Sequence, residues 1–137
     1  MSLMLVHPFD PVLVEMLKAY KQELGLDYDP CLAEDAQLCH LFRNSDGVAV
    51  GFVRGRSISV LRVYRIESIY VRPELRRNGY AMSMLDMVDN SMRSGGWGYS
   101  NPPRAVEFCA PSDNVAATGL AVKAGFASTY TGFRRGL

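Results

Sequence analysis

Residues 70–82 read Tyr-Val-Arg-Pro-Glu-Leu-Arg-Arg-Asn-Gly-Tyr-Ala-Met, and no other stretch restricts the fold of this chain as much. An apolar strand runs into a short polar turn holding a glycine, and the turn leads straight into an amphipathic helix. Such a junction points several backbone N–H groups one way, at the positive end of a helix dipole. Arg76 and Arg77 stand alongside, so the turn is suited to a diphosphate. Gly79 lets backbone approach a phosphate oxygen with no Cβ in the way, and Ala81 is small enough to keep the helix start close to its strand. The turn lacks GxGxxG, and the strands before it read as a hairpin meander instead of βαβ units. Both points argue against a doubly wound dinucleotide fold.

The remaining pattern is mixed α/β around one sheet, with helices on both faces. Met4 to Val6 predict a short first strand, and Asp10-Pro11 starts a helix whose apolar face holds Val14, Leu17 and Leu24, up to Gly25. Residues 28–36 are ambiguous between a turn at Asp29-Pro30 and a short helix. Strands Leu38–Phe42 and Val48–Val53 flank the hairpin turn Asn44-Ser45-Asp46-Gly47, and Gly51 marks a bend or a close approach by another group. The β-branched and aromatic run Ile58–Val71 loses strict alternation near Leu61-Arg62-Val63, which predicts a bulge or break there. A helix follows from Arg76, with Ala81, Met84, Leu85 and Val88 on one side and Asp86, Asp89 and Asn90 on the other, ending by Gly95-Gly96. After an irregular loop at 94–103 come a strand Ala105–Cys109, a helix Val115–Ala124 capped by Ser112-Asp113-Asn114 and closed by Gly125, and a last strand Phe126–Phe133.

Whole-chain properties narrow the function. With 137 residues there is room for one domain and one core. A formal net charge of +1 lacks the basic excess that phosphate-backbone binding needs, so no nucleic acid is expected as partner. No apolar run approaches a membrane span, which gives a cytoplasmic address with no membrane partner. Cys31, Cys39 and Cys109 show no CxxC or His/Cys spacing and read as reduced thiols, so no metal is expected.

Three pieces, in order, resemble the N-acetyltransferase (GNAT) superfamily, and the similarity covers nearly the whole chain. Ile66-Glu67-Ser68-Ile69-Tyr70-Val71 with Arg72-Pro73-Glu74 looks like that family's fourth strand and its exit. Arg76-x-x-Gly79-x-Ala81 looks like its pyrophosphate loop, and Asn114-x-x-Ala117-x-x-Leu120-x-x-Lys123-x-Gly125-Phe126 like its later helix. A lone RxxGxA is weak; the three together are specific. The resemblance implies a single GNAT-fold domain, its mixed, mostly antiparallel sheet splayed near strands 4 and 5. It also implies acetyl-CoA as acyl donor, no metal, and transfer to a primary amine of a small molecule or a protein. Cofactor contacts then fall to Ile69, Tyr70, Val71, Arg76, Arg77, Asn78, Gly79, Tyr80, Ala81, Asn114, Ala117 and Lys123. Taken singly, Gly79 reads equally as a turn glycine, Arg76 and Arg77 as a solvated pair, and Asn114 as a helix cap.

Transfer from a thioester to an amine needs an unprotonated amine and a proton for the departing thiolate. Glu67 is the expected general base, sharing by strict alternation the face of Ile69 and Val71; the alternative is a strand glutamate paired with Arg65, Arg62 or another arginine. Family members often carry a tyrosine at the position of Ala121, so Tyr130, Tyr99 or a water is expected to replace it as general acid. The same gap leaves a second reading, an acyl-CoA-binding sensor of this fold. Trp97 and Tyr99 suit an acceptor wall or a subunit contact, which leaves a homodimer open. Asp27, Asp29, Glu34 and Asp35 suit a cationic amine or are a solvated face.

Overall fold

The computed structural model describes residues 1–26, 37–58, 60–94, 103–108, 115–128 and 133–136. Among these run β1 (Ser2–Val6), α1 (Pro11–Leu24), β2 (Gln37–Arg43), β3 (Ala49–Ile58), β4 (Val63–Val71), a 3-10 turn (Pro73–Leu75), α2 (Tyr80–Arg93), β5 (Ala105–Phe108), α3 (Val115–Lys123), β6 (Ala127–Ser128) and β7 (Phe133–Gly136). The strands form one sheet in the order β1-β2-β3-β4-β5-β7-β6. Every pairing is antiparallel except β4 with β5. The described part of that parallel pairing runs from Val63–Ala105 to Ile66–Phe108, and residues 109–114 lie outside the described residues. The second half of β4 therefore has one edge that no described residue of β5 covers.

Helices cover both faces. On one, Leu13, Met16 and Leu17 of α1 pack against Cys39, Leu41, Ala49, Phe52 and Tyr70. On the other, Met84, Leu85, Val88 and Met92 of α2 join Ala121 and Ala124 of the α3 end over Val50, Val53, Tyr64, Ile66 and Val106. Asp10 starts α1 by accepting from the N–H groups of Val12 (3.0 Å) and Leu13 (3.2 Å), and Gly25 ends it at φ 63°. The buried stripe of α1 is thus Leu13–Met16–Leu17; Leu24, expected on it, is 42% exposed. Asp89, expected on the solvent side of α2, is buried.

The bulge or break expected near Leu61-Arg62-Val63 is a break, the hairpin turn between β3 and β4, with Arg62 at φ 53°. The register shift lies further on: Arg54 pairs with Ser68 but Gly55 with Ile66, leaving Glu67 as the extra residue of a bulge. Gly51 marks a close backbone approach, since a Cβ there would sit 2.0 Å from the Tyr70 carbonyl oxygen. The expected final strand is instead a hairpin of β6 and β7, and its residues 129–132, like those of the 95–102 loop, lie outside the described residues.

His40, fully buried on β2, gives the fold a pH limit. Burial lowers its pKa from 6.5 to about 4. Between those values the unfolded chain binds the proton and the folded chain does not, so stability falls as pH drops from 6.5 towards 4. The expected loss is of order 3 kcal/mol. Urea midpoints measured across that window should slope downwards in the native chain and much less in a His40→Leu variant.

No helix among the described residues is long and apolar enough to cross a membrane.

Candidate functional site

Beside the end of β4 lies a cavity of about 1090 Å³, mouth included. Its floor is Ile69, Tyr70 and Val71 at the end of β4. One end is the turn from Leu75 to Met82, one wall is α3 through Ala116, Ala117, Leu120 and Lys123, and the opposite wall is the last turn of α1 through Tyr20, Glu23 and Leu24. The turn is shaped by two left-handed residues, Arg77 at φ 66° and Gly79 at φ 77°, after which Tyr80 begins α2. The first N–H groups of a helix have no partner within it, so this turn presents donors and the dipole end to the cavity. Arg76, Arg77 and Lys123 add three cations to the lining, against the one carboxylate of Glu23.

Of the residues expected from sequence, Ile69, Tyr70, Val71, Arg76, Arg77, Gly79, Tyr80, Ala81, Ala117 and Lys123 all line this one cavity. Asn78 does not; its amide donates to the carbonyls of Leu75 (3.1 Å) and Arg76 (3.3 Å) and so stitches the turn from behind. Asn114, Tyr130, Tyr99, Trp97, Cys109, Cys31 and the acidic residues of 27–35 lie outside the described residues. Tyr20, Glu23 and Leu24 escape a sequence reading. Their spacing puts them on one helix face, but only the fold brings that face to a turn 53 residues away.

Arg76 is tied down on four sides. Its Nε donates to the Val71 carbonyl (2.9 Å), its Nη1 and Nη2 fork the Glu23 carboxylate at 2.5 and 2.7 Å, and the guanidinium lies 5.5 Å from the Tyr70 ring centre. The hydrogen bond from Arg76 holds the Glu23 carboxyl below its ordinary pKa. Burial raises the Tyr70 phenol above its ordinary value.

Glu67 is the unpaired residue of the bulge, so the strict alternation that grouped it with Ile69 and Val71 is interrupted there, and its carboxylate accepts from the Nε of Arg56. Arg54 donates to the Ser68 hydroxyl (3.1 Å) and Arg65 to Glu107 (3.1 Å) nearby. The predicted arginine pairing is present, with Arg56 as partner in place of Arg62 or Arg65. Glu67 is not among the described residues that line the cavity; it stands two residues before Ile69, the first residue of β4 that does. Among the described residues no group of three His, Cys, Asp or Glu is arranged to hold a metal ion.

The sequence profile of the Acetyltransferase (GNAT) family matches residues 8–126. The chain belongs to the GNAT acetyltransferases. Its fold agrees with solved GNAT structures at low identity. A Klebsiella pneumoniae protein assigned as an acyl-CoA N-acyltransferase superposes with TM-score 0.76 at 15% identity, covering 99% of this chain and 97% of that one. A Vibrio cholerae spermidine N-acetyltransferase in complex with CoA and spermine gives 0.70 at 13%, covering 93% and 81%. A dodecameric structure of spermidine N-acetyltransferase from the same organism gives 0.66 at 14%, covering 98% and 91%. A comparison with curated protein sequences finds no match. Within the GNAT frame, Ala121 faces the core and is fully buried, so this helix position contributes no polar group to the cavity.

Proposed function

We propose that this GNAT protein is an acetyl-CoA-dependent N-acetyltransferase acting on a primary amine of a small molecule or a protein. The reading is carried by the cavity at the end of β4, which unites the strand backbone at Ile69–Val71 with a cationic helix start. These features fit coenzyme A. Donors and positive charge at 76–82 suit the diphosphate, and the backbone of β4 suits an extended arm with two amides, paired as if it were an added strand. Bound there, acetyl-CoA would supply an activated acyl carbon. Arg77, Lys123 and the N–H groups of Gly79 to Ala81 would hold its charged end, and Ile69 and Val71 would orient the arm.

In this reading Glu67 takes the proton of the amine, through a bridging water, as the new C–N bond forms and the C–S bond breaks. The departing thiolate is stable enough to leave with a proton from water, and Tyr130 remains the side-chain alternative from sequence. The Vibrio neighbour crystallised with spermine supports an amine acceptor for this fold.

A second reading, an acyl-CoA sensor with little turnover, draws on the buried Ala121. Calorimetric titration with acetyl-CoA should show binding at micromolar to millimolar ligand, and absence of heat at millimolar ligand sinks both readings. Thiol release over a panel of amines then separates them: release that depends on an amine supports the enzyme, and binding with no release across the panel supports the sensor.

A further inference from the structure

Glu23 occupies an unexpected place, a carboxylate in a mostly apolar cavity whose other charged lining groups, among the described residues, are the three cations. Its two oxygens take the fork of Arg76. Planar bidentate pairing of this kind is how arginine recognises both carboxylates and phosphates. The Nε of Arg76 is meanwhile fixed on the Val71 carbonyl, so the direction of the fork is set by the backbone of β4 and not by Glu23. The Tyr70 ring beneath the guanidinium fixes its plane in the same way. Remove the carboxylate, and the fork still points into the same volume beside the turn.

We propose that Glu23 is an internal competitor for Arg76, occupying the position of one phosphate of the bound cofactor and yielding the arginine to it on binding. This rests on the coenzyme A reading above. Three observations make the exchange physically accessible. The carboxylate and the guanidinium are partly solvated, with side chains 42% and 38% exposed, so Glu23 can rotate into water. Glu23 lies one residue before the end of α1, whose stop is made by backbone bonds from Gly25 to Gln22 (3.3 Å) and from Leu26 to Lys21 (3.0 Å), so the helix end survives its release. A diphosphate against the turn would face the Glu23 charge at close range while that carboxylate stays in place. In the free protein the pair holds α1 against the turn; in the complex the phosphate takes the fork over.

The test compares coenzyme A with pantetheine, which lacks the phosphates, by calorimetry on native protein and Glu23→Gln. The expected result is roughly two- to fivefold tighter binding of coenzyme A by the variant, the size of one exposed ion pair, with pantetheine unchanged. Equal weakening of both ligands would show that Glu23 only braces the wall, and unchanged coenzyme A affinity would show that the pair persists in the complex; either overturns the inference while leaving coenzyme A binding intact. No binding to either protein removes the functional reading and this inference with it. Matching thermal unfolding of the two proteins verifies that the variant folds.

Discussion

Gly51→Ala is expected to destabilise the protein by at least about 3 kcal/mol, the upper range for forcing extra volume into a packed site. The added methyl would lie 2.0 Å from the Tyr70 carbonyl oxygen, 3.0 Å from its carbon and 3.1 Å from the Val71 Cα. All three are main-chain atoms in the paired region of β3 and β4, so no side-chain rotation relieves the clash. The strands must separate, and Tyr70 and Val71 are the floor of the cavity. Loss of stability should therefore come with loss of coenzyme A binding. Urea unfolding measures the first and calorimetry the second. Gly119→Ala is the control: that glycine lies within α3 with open space around it, and alanine there should add about 0.5–1 kcal/mol. An unchanged midpoint for Gly51→Ala would mean that the hairpin is not closed at this point.

Glu67→Gln is expected to lower kcat by about 10²-fold or more, the usual share of a general base, with coenzyme A affinity unchanged. The amide keeps the size of the side chain and can still accept from Arg56, so the bulge has no reason to rearrange. Native turnover in Glu67→Gln would rule out this base and leave water or another group with the role.

Much of this was legible in sequence because it depends on local chemistry. Asp10-Pro11 and Gly25 bracket α1, and the Asn44–Gly47 turn sits between β2 and β3 as its residues predict. The turn at 76–81, read from what a diphosphate needs, and Ala117 and Lys123, implied by the family resemblance, line the same cavity. The misreadings are all non-local. Strict alternation through Glu67 is interrupted by the bulge, which is decided by how β4 must register against β3, and nothing in residues 66–71 announces it. Leu24 reads as core by periodicity, yet α1 outlasts the sheet beneath it and its last turn becomes a cavity wall. Arg76 reads as a phosphate ligand, and only the folded chain shows that Glu23 already holds it.

The parallel seam between β4 and β5 also governs the order of assembly. β2, β3 and β4 meet through successive hairpins, contacts that close short loops and form early. The block of β5, β7 and β6 joins them across four paired positions, Val63 to Ile66, after a longer excursion of chain. The cavity straddles this seam, with β4 and the turn from the early half and α3 from the late one. A ligand filling it would bind only chains whose halves have docked, and by mass action it would hold them docked. Occupancy and the completion of folding are in this way two readings of a single equilibrium.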